Sequence, residues 1–378
     1  MIEPVEYMGL GCQKLTNGAV EVIITTAVGP RIIRYALPGD ENILAELPEP
    51  VMKTALGDWK PLGGHRLWTA PEGMPRSYAP DNSPVQVSFL RSSPRSSGGM
   101  HGLGRSGVPL PGRAGKQKTK RTQERPRHGI PTEDRRDEVL GLRLVQDVEP
   151  ATGIQKEMTV SLDPKGSGVT VHHKITNKNL WAIEAAPWAL TIMNGGGRVI
   201  IPQEPYISHD DCLLPARPMV LWHYTDLSDP RFTFGTKYTQ LRTDAGLAEP
   251  QKIGVADKQG WAAYARKERG RGARGEGRGE GRSQEALRPR PSGLRPSGET
   301  VFIKRFRYID GATYPDGGCN CETYTAATFI ELETLGPMAR LEPGGSAEHT
   351  ERWSLFGGMD LGRTEASLDA ALSRLLDA

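Results

Sequence analysis

Short alternating apolar runs, each closed by Gly, Pro, Asn or Asp, recur from the N-terminus to about residue 356 and leave little room for helices. Residues 19–26, 31–37 and 42–46 read as successive strands, with a Gly-Pro break after the first. "VQVSFL", "LGLRLVQDVEPATGIQKEMTVSL", "AIEAAPWALTIM" and "VFIKRFRY" continue the pattern, and "FIELETLGPMARLEPGGSAEHTERWSLF" reads as strands around a Pro-Gly-Gly turn. About fifteen or more such strands are too many for one small sandwich or barrel. The expected fold is therefore all-β, a large antiparallel two-sheet assembly. Only "TEASLDAALSRLLDA" has apolar spacing of three and four, which predicts a short C-terminal helix with Thr364 as N-cap and Glu365 in its first turn.

Two windows break the pattern. Residues 92–138 hold 11 Lys+Arg against 5 Asp+Glu, and residues 266–299 hold 10 against 5, both without an aromatic residue. They read as disordered basic insertions in one domain spanning 1–378. Their charges of +6 and +5, set against a net charge of +3, leave −8 on the other 297 residues. An Arg/Gly tract of this kind offers phosphate contacts to RNA but lacks the interleaved aromatics of a stacking platform, which argues against nucleic-acid binding. No basic region followed by an apolar run opens the chain, and no stretch approaches the roughly 20 apolar residues of a membrane span. Cys12, Cys212, Cys319 and Cys321 are too scattered for a disulfide framework or a zinc motif, so reduced thiols in a cytoplasmic protein are expected. His209, beside Asp210 and Asp211, reads as a hydrated turn, and no metal is expected.

The segment "PLGGHRLWTAPEG", residues 61–73, sets His65, Arg66, Trp68 and Glu72 close together on a stretch that Gly and Pro keep from being a helix. An indole beside charged groups suits a flat hydroxylated ligand such as a sugar ring; the bland alternative is a turn with a core Trp and solvated charges. Tyr78 and Asp81 in "YAPDN" add hydroxyl-binding groups, or make a Pro-Asp turn. In "FIELET" the period of two puts Glu331 and Glu333 on one strand face, about 7 Å apart. Two such carboxylates facing a cleft raise one another's pKa, which serves proton transfer; on a solvated face they do nothing.

Four stretches, "GGHRLWTAPE", "YAPDNSPV", "ITNKNLWAIEAAPWALTIMNGGG" and "YPDGGCNCETYTAATFIELETLGPMARLEPGGSAEHTERWSL", resemble the galactose mutarotase-like superfamily, in a branch apart from the well-described aldose 1-epimerases. The resemblance runs along nearly the whole chain outside the two windows. It implies a β-supersandwich that binds a sugar or glycan end on a concave sheet, and aldose 1-epimerase-like interconversion of anomers by acid-base catalysis without a cofactor. Arg66 matches the sugar-contacting arginine and Glu333 the general base. Where those enzymes place an Asn-His pair carrying the acid, this chain has "EAAPWALTIM", with Trp188 near the expected His. His65, expected on a loop lining the cleft beside Arg66, is the remaining candidate for the acid. Glu333, by the resemblance, and His65, by its position, are thus the candidate catalytic groups. Arg66, Trp68, Glu72, Tyr78, Asp81, Trp188 and Glu331 are the candidate binding residues. A sugar-binding protein that kept the cleft and lost the acid is the alternative, and RNA binding through the Arg/Gly insertions a remoter one.

Overall fold

A computed structural model describes residues 1–49, 51–74, 76–91, 139–268 and 298–378. Among these, 24 strands and one 12-residue helix form a twelve-stranded sheet, a ten-stranded sheet and a two-stranded ribbon, with every pairing antiparallel. The all-β expectation holds. The twelve-stranded sheet runs, through its centre, Arg31–Ala36, Leu62–Ala70, Ile183–Asn194, Phe329–Leu335, Cys321–Thr325 and Gln251–Val255, ending at Met219–Leu221. Its partner is built around Trp261–Lys267, Glu299–Phe306, Ser346–Met359, Val169–Asn177 and Ile154–Leu162.

Alternation decides which residues meet between the sheets. Val22, Ile24, Ile32, Leu67, Ile253 and Leu332 from one sheet pack on Leu142, Val160, Val171, Phe302 and Trp353 from the other in one continuous core. The predicted helix is Glu365–Leu376, capped by the Thr364 hydroxyl, which accepts from the Ser367 N–H at 3.2 Å. Its Leu368, Leu372 and Leu375 bury against Ile200, Tyr238, Trp261 and Ile303, so it covers the outer face of the ten-stranded sheet. Each such leucine contributes roughly 1.5–3 kcal/mol by burial. The outer face of the twelve-stranded sheet is covered differently, by aromatic and charged side chains. No helix among the described residues is long and apolar enough to cross a membrane.

The strand expected at 42–46 is a correction: it shrinks to one bridge, Leu44 to Met193, and the start of the pair Glu46–Leu47. Asn42 is the reason. Its Oδ1 accepts from the N–H groups of Tyr35 (3.0 Å) and Leu44 (3.1 Å) while its Nδ2 donates to Ile33 O (2.8 Å), replacing a ladder with side-chain bonds. Residues 92–138 lie outside the described residues, between strands whose ends pair at Arg91 and Val139. Of the second window, Arg266, Lys267 and Glu299 belong to paired strands, and 269–297 lie outside the described residues. The disorder expected of 266–299 is thus corrected at its two ends, and for 269–297, as for 92–138, the expectation lies outside the described residues.

Candidate functional site

The Gly-Gly pair that precedes His65 has a steric cause. Gly63 and Gly64 have φ of +76° and +66°, and a Cβ on Gly64 would lie 2.2 Å from Ile32 O. This close approach starts the strand Leu62–Ala70 against Arg31–Ala36, pairing Arg31 with Arg66 and Ile32 with His65. Residues 62–70 are thus a strand, correcting the loop expected there, and His65 and Arg66 must point to opposite faces.

Register assembles the outer face in rows. Arg31, Arg66, Leu190, Glu333 and Glu322 are cross-strand neighbours in one row. Ile192, Glu331, Tyr324 and Lys252 form the next, and Trp68, Trp188 and Leu335 the row on the other side. Of the expected site residues, Arg66, Trp68, Trp188, Glu331 and Glu333 therefore share one sheet face. Tyr78 joins them by packing on Trp68 at 5.0 Å between ring centroids, and its hydroxyl donates to Glu72.

At one end of the face, Arg66 lies over Trp59 (4.7 Å) and Trp68 (5.6 Å), and its Nη2 donates to both Asp81 oxygens at 3.1 and 3.0 Å. Arg31 also binds Asp81. Burial opposes the Asp81 charge, yet the two guanidinium groups hold its carboxyl well below the usual range. Asp81 is a clamp between arginines, so the hydroxyl-binding expected of it meets a carboxylate already engaged. Burial lowers Arg66 to about 10, with Asp81 opposing.

At the other end, Glu333 is fully buried. Its Oε2 accepts from Trp188 Nε1 at 2.9 Å and from Lys252 Nζ at 3.1 Å. Lys252 also pairs with Glu322 Oε2 at 2.9 Å and lies between the rings of Trp188 (4.9 Å) and Trp222 (4.6 Å). Burial works against the Lys252 charge, but Glu322 and Glu333 push it well above the usual lysine range. Burial and then the Glu333 charge push the half-buried Glu331 carboxyl well up. Burial likewise raises Glu322 to about 8, with Lys252 opposing.

Trp68 and Trp188, expected as open stacking platforms, are 6% and 1% exposed and pack edge-on to each other at 5.2 Å. They form a floor, with Trp59 edge-on to Trp68 at 5.9 Å. Buried polar atoms of this face without a hydrogen-bond partner among the described residues include Arg31 Nη1, Arg66 Nε, Glu322 Oε1 and the indole Nε1 of Trp59 and Trp68.

His65 turns the other way, and its expected place beside Arg66 at the cleft is corrected. It is fully buried between the sheets in a closed network. Its Nδ1 is 2.8 Å from Thr191 Oγ1 and its Nε2 is 2.7 Å from His173 Nε2, while His173 Nδ1 lies 3.1 Å from His349 O. Lys304 directs its ammonium at Thr191 Oγ1 (2.6 Å), Leu332 O (2.9 Å) and Glu351 Oε1 (2.9 Å). Trp353 Nε1 donates to Glu351 Oε2 at 2.9 Å, and Thr334 bridges Glu351 and His349 Nε2. One proton arrangement satisfies the set: Thr191 O–H to His65 Nδ1, His65 Nε2–H to His173 Nε2, and His173 Nδ1–H to the His349 carbonyl. All three imidazoles are then neutral. Burial pushes His65 well below the usual value, His173 to about 3 and His349 to about 4.

His65, His173 and Glu351 bring ligand-type atoms within 4.8 Å of one another. The two Nε2 atoms are a hydrogen bond apart, and a cation about 2.0–2.1 Å from each would need an angle of about 80° between them, far from tetrahedral. Glu351 is also engaged by the Lys304 ammonium. The geometry fits a proton chain and not a cation. Cys12, Cys212, Cys319 and Cys321 are free thiols, and His209 stands exposed on a turn.

Lys252, Glu322, Trp222 and Trp59 belong to this face without having been expected there from the sequence. Glu322 and Tyr324 alternate in "CETYT" as Glu331 and Glu333 do in "FIELET", a signal that was available. Lys252 carries no such signal, because only strand pairing brings it to Glu333.

No protein-family model matches the chain, and no curated protein matches it. Solved structures do. A "putative aldose 1-epimerase" from Klebsiella pneumoniae superposes with a TM-score of 0.52 at 9% identity, over 100% of this chain and 87% of that one. A galactose mutarotase-like protein from Lactobacillus casei gives 0.48 at 11% identity, over 92% and 100%. A TPR-domain containing protein from Parabacteroides distasonis gives 0.48 at 11% identity over 93% of this chain, which spans about half, 48%, of that protein. The first of these likenesses shows a shared fold.

Proposed function

We propose that this chain, folded as a galactose mutarotase-like supersandwich, binds the reducing end of a sugar on the outer face of its twelve-stranded sheet and interconverts the anomers. Glu333 is the base and Glu331 the acid. The observation that carries this reading is the placing of two carboxyls, two residues apart, on one face of one strand in different surroundings. Glu333 Oε2 accepts from an indole N–H and an ammonium, whereas burial and the adjacent Glu333 charge push the Glu331 carboxyl up. Such a pair supplies a base and an acid to one reacting centre. Glu333 takes the proton of the anomeric hydroxyl as Glu331 donates to the ring oxygen. The bond from C1 to the ring oxygen breaks, the free aldehyde turns about its C1–C2 bond, and the reverse transfers close the ring on the other face. The buried atoms without partners, Arg66 Nε among them, are the groups a polyhydroxylated ligand or ordered water would satisfy.

A binding-only reading draws on Trp188, an indole near the position where the resembled enzymes carry the histidine acid. Calorimetry on a panel of aldoses followed by NMR magnetisation exchange between their anomers separates the two. Exchange above the solvent rate supports catalysis; affinity without exchange supports binding alone, and neither would defeat the proposal.

A further inference from the structure

Glu333 faces outward, and both of its neighbours in the chain are held from inside the sandwich. Lys304, on the strand Glu299–Phe306 of the ten-stranded sheet, is fully buried and reaches across to donate to Leu332 O at 2.9 Å, the carbonyl of the peptide that leads into Glu333. Its other two hydrogens go to Thr191 Oγ1 at 2.6 Å and Glu351 Oε1 at 2.9 Å, so all three donors of the ammonium are engaged. On the far side of Glu333, the Thr334 hydroxyl donates to the same Glu351 Oε1, and Glu351 Oε2 accepts from Trp353 Nε1. Burial opposes the Glu351 charge, yet Lys304 holds its carboxyl well below the usual range. One buried ion pair thus bonds the strand Phe329–Leu335 at residues 332 and 334, immediately before and after the outward carboxylate. Thr191, paired with Leu332 in the sheet, ties the same ammonium to the neighbouring strand. Removing two charges from water makes such a pair no better for stability than apolar side chains of the same shape. What apolar side chains would lose is the direction of those bonds.

We infer that Lys304, Glu351 and Thr334 are positioning residues for Glu333: from between the sheets they fix the backbone on either side of it, and so set where its carboxylate stands on the outer face. The inference rests on the anomer-exchange reading above for its effect on rate, and adds the interior groups on which that rate depends. On the outer face Trp188 Nε1 and Lys252 Nζ both meet one oxygen, Glu333 Oε2, which leaves the direction in which the side chain departs from the strand to the backbone. A displacement of about 1 Å at a reacting group costs on the order of 10²-fold in rate, so loss of the bonds at residues 332 and 334 is read in kcat. His65 belongs to the same interior network but bonds Thr191 and His173, not the strand that carries Glu333.

The test uses the full chain with Thr334→Val, which removes the hydroxyl and keeps the branched shape, Thr334→Ser, which keeps the hydroxyl, and the double variant Lys304→Met/Glu351→Gln. Two quantities are measured by NMR. The Trp188 indole N–H resonance, assigned through Trp188→Phe, reports the bond to Glu333 without any sugar; kcat and KM for anomer exchange are measured on whichever aldose binds. Thr334→Val and the double variant should shift the Trp188 proton upfield and lower kcat by at least about tenfold, with KM kept within about threefold. Thr334→Ser should restore both quantities. Leu372→Ala, which loses stability in the helix on the other sheet, should leave both as in the wild type. Where the wild type exchanges anomers, a kcat within about threefold of it in Thr334→Val and in the double variant, or an equal fall in Leu372→Ala, overturns the positioning role. If the wild type exchanges no anomer, the proposed function falls, and an unmoved Trp188 resonance in Thr334→Val then overturns the positioning role by itself.

Discussion

Replacing His349 by Gln is expected to make the protein less sensitive to acid by about 2 kcal/mol between pH 7 and pH 5. His349 lies between the sheets, 6% exposed, and burial pushes its imidazole down to about 4 in the folded chain. In the unfolded chain it titrates near about 6.5. Between those values a proton binds only the unfolded chain, so the stability associated with neutral His349 is intact above pH 6.5 and is lost as pH falls towards 4. At pH 5 the separation from the unfolded value is about 1.5 pH units, which at about 1.36 kcal/mol per unit gives the stated figure. The Gln amide keeps an N–H for Thr334, which His349 Nε2 now approaches at 2.8 Å, and has no proton to gain. The outer-face carboxyls, Glu322 among them with burial raising it, add their own pH dependence. That dependence is common to both proteins and cancels in their difference. Urea unfolding followed by tryptophan fluorescence at pH 7 and pH 5 measures it. A wild-type minus variant difference that does not change between the two pH values would refute the neutral-imidazole network.

Lys304→Met should cost about 3–5 kcal/mol in the same unfolding assay, because it leaves Glu351 buried without its cation; adding Glu351→Gln should recover part of the loss. Gly64→Ala should destabilise by at least about 2 kcal/mol, since its Cβ meets Ile32 O at 2.2 Å and its φ is +66°; a neutral result would mean that the strand starts in another register. Leu372→Ala should cost about 2–5 kcal/mol and raise protease cleavage in the C-terminal helix, where Leu372 is fully buried against the ten-stranded sheet.

Alternation and turn residues made the sheets and the helix readable in advance, down to Thr364 as N-cap, because these signals are local. The shared face of Glu331 and Glu333 was legible for the same reason. What was not legible came from pairing between distant strands. Lys252 reaches Glu333 only because Gln251–Val255 pairs with Cys321–Thr325, which pairs with Phe329–Leu335. His65 was misplaced because Gly-Gly and the flanking prolines suggested a loop, whereas the glycines begin a buried strand whose alternation turns His65 inward and Arg66 outward. Asn42 shows the converse: an apolar run read as a strand is diverted by one side chain that satisfies the backbone locally.

If the outer-face carboxyls transfer the protons, as proposed, the histidine between the sheets is not needed for exchange. Anomer exchange, measured by NMR per folded molecule on whichever aldose binds, should fall by about 10²–10⁴ in Glu333→Gln, with sugar affinity kept within about tenfold. In His65→Gln, which loses stability through the interior network, the exchange rate of the folded fraction should match the wild type. An active Glu333→Gln, or a folded His65→Gln that has lost exchange, would place the proton transfer elsewhere.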